Sequence, residues 1–276
     1  YYGKSFVGGA DGLSQVAPTM QYTGQYYRAL LKNILQGNLQ IPMWDMSIGF
    51  GMNILQVISF DPVYILCSVL FVHDIAVGIA IFDMLCLYLA GIMFIALCYN
   101  LGCNRYAALA AALAYIFNGY ILNYCIAQNS FLRLFIVLPM ILLGVYNVTK
   151  KNRYGIFVLA VLYNITLGPL NIYTIGIVLI FCFCMAYIFS DRKKGVADFF
   201  SYIWKPVLIY ILEMLVMAGF LIPTMYKGGS GGRIGNASIN FQWLYDVSYY
   251  RSLFHGLVGV DEIGIHGYIG VTTIAI

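Results

Sequence analysis

An all-α bundle of membrane-spanning helices is the fold class that this sequence predicts, and three observations predict it. Apolar residues make up 62% of the chain and charged residues only 9%, and mean hydropathy is +0.83. A water-soluble core cannot hide that much apolar surface, so most of it must face lipid. Apolar runs long enough to cross a hydrocarbon layer of ~30 Å recur along the chain, and short clusters of Lys and Arg punctuate them.

The first 74 residues read as an outer segment rather than a span. Phe6-Val7-Gly8-Gly9-Ala10-Asp11-Gly12-Leu13-Ser14-Gln15-Val16-Ala17-Pro18 is a glycine-rich loop with one carboxylate at its centre. In residues 21–37, Tyr22, Tyr26, Leu30 and Ile34 recur at helical spacing, while Arg28 and Lys32 share a polar face. That pattern predicts an amphipathic helix lying on the membrane surface, stopped by Gly37-Asn38. A turn-rich stretch follows over 41–53. Residues 54–60 and 62–72 are apolar but divided by Asp61-Pro62, and each piece is too short to cross. They read as interfacial or re-entrant, one broken span being the alternative.

Residues 75–97 are long enough to span, as are 106–123 and 132–148. Residues 155–189 are apolar throughout and too long for one span at ~1.5 Å per residue. Gly168-Pro169 divides them into two. The last complete span is 205–223. A loop over 224–266 follows, opening with the flexible Lys227-Gly228-Gly229-Ser230-Gly231-Gly232-Arg233, and 267–276 starts a further span. The whole reads as a single transmembrane domain with about six spans. Tyr1 at the start and the apolar run at the end give the expectation of a fragment lacking helices at both ends.

The net charge of +4 matters through where the positive residues lie, and no nucleic-acid partner is expected. Arg105, the Lys150-Lys151-Asn152-Arg153 cluster, and Asp191-Arg192-Lys193-Lys194 with Lys205 all fall on one side of this topology. Cytoplasmic loops carry the excess of Lys and Arg. The segment 1–74 and the loop 224–266 are therefore expected outside. The seven cysteines include no Cys-x-x-Cys pair and lie in or beside apolar runs, as small apolar residues do.

Polar groups at membrane depth point to function. Arg133 can bind a lipid phosphate through paired hydrogen bonds, or snorkel to the headgroups. Asp83 and Glu213 lie within spans, where a proton pathway or a structural hydrogen bond would use them. Gln128-Asn129 falls on the outer side with Asp11 and suits a sugar contact or a helix-end turn. Asp11 alone reads as a turn carboxylate beside glycine. With Asp45, Asp61 and Asp74 in the same outer segment, it also reads as a supply of general base or of ligands for a divalent cation. No spacing here is a metal signature, and no cofactor is firmly implied.

Gly8-Gly9-Ala10-Asp11-Gly12-Leu13-Ser14-Gln15 with Pro18 resembles the opening of the YfhO family of bacterial membrane proteins. Pro42-Met43-Trp44-Asp45, Gly49-Phe50-Gly51, Asp61-Pro62 and Phe117-Asn118-Gly119-Tyr120 carry the likeness further. Ala10, inserted before the aspartate, departs from the family's usual loop, and Gln128-Asn129 stands near where many relatives have a histidine. The family resembles glycosyltransferases of the GT-C architecture, which take sugars from polyprenyl-phosphate donors and carry an essential acid on the first extracytoplasmic loop. The resemblance implies a multi-pass protein of the bacterial cell membrane that decorates an envelope glycopolymer of lipoteichoic-acid type, or a glycolipid. It implies Asp11 as the catalytic acid. Gln15, Trp44, Asp45, Asp61, Gln128, Arg133, Lys227 and Arg233 are the expected substrate contacts. A transporter or flippase, and a non-catalytic envelope-assembly protein, are the alternatives.

Overall fold

The computed structural model describes residues 7, 12–38, 40–48, 51–125, 128–167, 169–188, 195–219 and 222. The expected loop 224–266, the run 267–276 and the basic cluster Asp191 to Lys194 lie outside them. The described chain is a helix bundle with one short β-ribbon. A turn of π-helix (Gly12–Val16) leads into α1 (Ala17–Leu35), followed by strands β1 (Trp44–Asp45) and β2 (Met52–Asn53). The strands pair antiparallel, Trp44 opposite Asn53 and Asp45 opposite Met52. Then come α2 (Pro62–Leu70), α3 (Ile75–Asn100), α4 (Arg105–Ile116), α5 (Leu132–Lys151), α6 (Gly155–Thr166), α7 (Pro169–Ile188) and α8 (Val196–Val216).

Side-chain caps start several of these helices. Asp61 accepts from the amides of Val63 and Tyr64 to open α2, and Asp74 accepts from Val77 to open α3. Asn104 does the same for α4. Each satisfies amides that would otherwise lack a partner, worth about 1 kcal/mol. Among the described residues three helical stretches are long and apolar enough to cross a membrane: Ile75–Asn100, Asn129–Lys151 and Ala197–Val216.

Three expectations need correction. The run 106–123 is not one continuous helix. α4 ends at Ile116, and the Asn118 side chain donates to the Tyr115 carbonyl (2.6 Å) and accepts from the Ile121 amide (3.0 Å). That local bonding competes with the helix ladder, and the chain resumes as a π-turn, Ile121–Cys125. The last span starts at Val196, not at Lys205. Lys205 sits exposed on the helix surface with its ammonium 5.7 Å from the Trp204 ring centroid, so its charge does not end the helix. Thirdly, the first helix starts at Ala17 rather than at residue 21 and ends at Leu35, and the side it packs against the bundle is Met20, Thr23 and Gly24.

Two hydrophobic clusters hold the bundle. Met20, Tyr64, Cys67, Ile79, Phe82, Cys86, Leu132 and Ile136 join α1, α2, α3 and the start of α5. Val137, Ile141, Phe157, Val161, Ile165, Leu179 and Phe183 join α5, α6 and α7. α5 contributes to both and is the central helix. Close approaches make the packing specific. A Cβ on Gly24 would stand 2.1 Å from the Ser68 carbonyl oxygen, and one on Gly144 would stand 2.8 Å from the Phe157 Cα. Hydrogen at these positions lets α1 meet α2, and α5 meet α6, backbone to backbone.

The bundle has two chemically distinct ends. Lys151 Nζ donates to Asn100 Oδ1 at 2.6 Å, tying the last turn of α5 to the last residue of α3. Arg105 opens α4, and Lys150, Lys151 and Arg153 close α5, so the basic residues gather where α3 and α5 end. The opposite end, where both helices begin, is mixed in charge: Asp74 and Arg133 lie there, and Arg28 of α1 donates to the Val69 carbonyl beside them.

Candidate functional site: a buried charged cluster where α3 and α5 begin

At that opposite end the start of α2, the start of α5 and the last turn of α6 converge. The Asp61-Pro62 step places Pro at the first helical position, where its missing N–H is no loss, and leaves the Asp61 carboxylate as the N-cap. Oδ1 accepts from the Val63 amide at 2.8 Å and the Tyr64 amide at 3.3 Å. Oδ2 accepts from the Tyr163 hydroxyl at 3.1 Å and lies 3.7 Å from Arg133 Nη1. The Asp61 side chain is 0% exposed and that of Arg133 13%.

Arg133 is held from several sides. Nη1 donates to Ser59 Oγ and Nε to the Ser130 carbonyl, both at 3.4 Å. The guanidinium stands 5.8 Å from the Tyr64 ring centroid, an attractive placement for a cation. Ser59 is fixed in turn, its carbonyl accepting from the Tyr27 hydroxyl at 2.9 Å. This last bond links the ion pair to α1. Burial pushes the Tyr27 phenol up to about 12, so it remains a donor at any physiological pH.

Four groups therefore surround Asp61, and its chemical part is to hold Arg133 in place. Arg133 stays partly open to its surroundings and offers positive charge where α5 begins. A buried pair of this kind is retained through geometry and added hydrogen bonds rather than through net attraction. Sequence reasoning singled out Asp61 and Arg133 separately but missed Tyr163, Ser59, Tyr64 and Tyr27. The one local signal was Tyr163-Asn164, two polar-headed residues together inside an apolar run.

The other expected contacts fall elsewhere. Trp44 is exposed on β1, its indole N–H donating to the Met46 sulfur at 3.2 Å. Asp45 accepts from the Ser47 hydroxyl (2.7 Å), the Ser47 amide (2.8 Å) and the Tyr22 hydroxyl (2.8 Å). Those bonds, from Ser47 first, hold its carboxyl below the ordinary aspartate value. Burial and the Asp45 charge push the Tyr22 phenol the other way, upward. Gln15 is exposed on the π-turn, and Gln128 is half-buried just before the 3₁₀ turn Asn129–Phe131. Asp45, Asp61 and Asp74 each serve a different local structure. Among the described residues no group of three His, Cys, Asp or Glu side chains is assembled as a metal site. Asp11, Lys227 and Arg233 lie outside the described residues.

The chain on either side of Asp11 is nevertheless anchored to this end. Val7 and Val16 pack against the cluster that contains Tyr64, Cys67 and Cys86, and Gly12 is buried. The fold is an all-α helical bundle with three stretches long and apolar enough to cross a membrane among the described residues. The chain belongs to the YfhO family, described as bacterial membrane protein YfhO, which matches residues 1–272. No curated protein and no solved structure matches it.

Proposed function

We propose that this YfhO-family protein is an extracytoplasmic glycosyltransferase of GT-C type that takes a sugar from a polyprenyl-phosphate donor. The acceptor is an envelope glycopolymer of lipoteichoic-acid type, or a glycolipid. The observation that carries the reading is the partly open cation Arg133, set by Asp61 and Ser59 at the end of the bundle where the flanks of the Asp11 loop are packed. A lipid-linked donor holds its phosphate at headgroup depth, so such an enzyme needs a cation and a base at that level. The basic opposite end, with Arg105, Lys150, Lys151 and Arg153, is the cytoplasmic one in this reading.

Asp11 takes the proton of the acceptor hydroxyl as the hydroxyl oxygen attacks the anomeric carbon. The bond from that carbon to the phosphate oxygen breaks, and the configuration inverts. Arg133, with Lys227 and Arg233, stabilises the departing lipid phosphate. Gln15, Trp44, Asp45 and Gln128 contact the sugars, and Asp61 positions Arg133. A divalent cation is compatible with the chemistry and is not required by it.

The test uses the full-length protein in membranes. Asp11→Asn should abolish transfer from a polyprenyl-phosphate sugar while expression and lipid binding persist. Full activity in that variant would end the reading. A transporter is the second reading, favoured by two carboxylates inside helices, Asp83 and Glu213, whose oxygens have no hydrogen-bond partner. Uptake or flipping lost in Glu213→Gln and retained in Asp11→Asn would establish it instead.

A further inference from the structure

Asp83 stands about 12 Å along α3 from its first residue, at 1.5 Å per residue. Its side chain is 2% exposed; Asn129 is the side chain placed to hydrogen-bond it, yet neither carboxylate oxygen has a partner in full hydrogen-bond geometry. The ion pair of the described residues is Arg133 with Asp61, so the nearby guanidinium is already committed. The groups close enough to interact with Asp83 are Cys67 of α2, Cys86 one turn along α3, and Asn129 before α5. None is a cation. Asn129 is 4% exposed, and its Nδ2 also lacks a partner.

A bare carboxylate in such surroundings costs several kcal/mol unless it is paired or neutralised. Among the described residues no opposite charge faces Asp83. A proton neutralises the carboxylate without requiring room for a second group. A protonated carboxyl is also the complement of a primary amide. Its O–H can donate to the amide oxygen while its carbonyl accepts from the amide nitrogen, which supplies a partner for every orphaned atom of the pair. We propose that Asp83 and Asn129 form a proton-binding site, in which Asp83 is a neutral carboxylic acid that joins α3 to the segment entering α5. Asn129 lies one helical turn before Arg133, so the site also fixes the approach to the charged cluster. The proposal does not depend on the transferase reading.

The experiment compares purified full-length wild type, Asp83→Asn, Asp83→Leu and the exchange Asp83→Asn/Asn129→Asp, all in nanodiscs at pH 7. Infrared difference spectra of wild type minus Asp83→Asn should show a carboxylic-acid carbonyl band that shifts in D₂O. Asp83→Asn restores an amide–amide pair and should keep the wild-type Tm. The exchange should also keep it, and Asp83→Leu should lower it. A carboxylate band at pH 7 in place of the acid band, or a Tm in Asp83→Asn as low as in Asp83→Leu, would overturn the proposal.

Discussion

Arg133, at the first turn of α5, and Asp61, at the N-cap of α2, sit 3.7 Å apart, with Tyr163 of α6 donating to the same carboxylate oxygen. One oxygen atom thus gathers α2, α5 and α6. Removing one member of a buried pair strands the other, which typically costs about 3–5 kcal/mol. Arg133→Ala should therefore destabilise by about 3 kcal/mol, the lower end, since the guanidinium is not fully enclosed. Asp61→Asn/Arg133→Gln should lose less than the two single changes together. Thermal unfolding of the four proteins in one detergent checks this; strict additivity would show that the contact carries no coupling.

Glycine substitutions should separate sharply by location. Gly24→Ala would drive a methyl group into the Ser68 carbonyl, and Gly144→Ala into the Phe157 backbone. Overpacking of this kind costs about 1–3 kcal/mol, and the end with backbone on both sides applies here. Gly155→Ala, at the open first position of α6, meets nothing within 4 Å and should change stability by no more than about 0.5 kcal/mol. A clear fall in Tm for the first two variants and none for the third is the expected result.

Acidification should release the ribbon from α1. The Asp45 carboxyl is held below its ordinary value by Ser47 and then Tyr22. A carboxyl depressed in the folded state adds stability above its unfolded value, and that contribution fades as pH falls through the folded one. The tie of Tyr22 to Asp45 is thus complete at neutral pH and fails below the ordinary aspartate range. Trp44 emission should change there in wild type. The same change in Asp45→Asn would show that another group is responsible.

Cys103 offers a test of sidedness. Among the seven cysteines it is the exposed one, and it lies beside Arg105 at the basic end. In right-side-out cells an impermeant maleimide should leave it unmodified, whereas inverted vesicles should label it. Labelling in intact cells would reverse the proposed orientation, and Cys103→Ser controls for the remaining thiols.

Much of the architecture was legible because lipid imposes a simple rule on composition. The helices over 75–100, 132–151 and 169–188 follow from uninterrupted apolar runs, and the cut near Pro169 from its missing N–H. The break at Asn118 inside the run 106–123 has no counterpart in the apolar pattern, because it depends on where one amide side chain folds back. α8 extends past Lys205 to Val196 because the lysine lies on the outside of the helix beside Trp204, where its charge does not interrupt the ladder. On α1 the tyrosines turn their hydroxyls to Asp45, Pro42 and Ser59. Spacing alone does not reveal such partners. The union of Asp61 with Arg133 and Tyr163 is tertiary and leaves no periodic trace.

The Lys151–Asn100 bond at one end and the shared apolar cluster at the other clamp α3 and α5 along their whole length. Two parallel rods fastened top and bottom resist splaying. If the proposed transferase reading holds, its lipid donor gains room by parting α6, α7 and α8 from that strut, and crosslinks placed across the strut should leave transfer untouched.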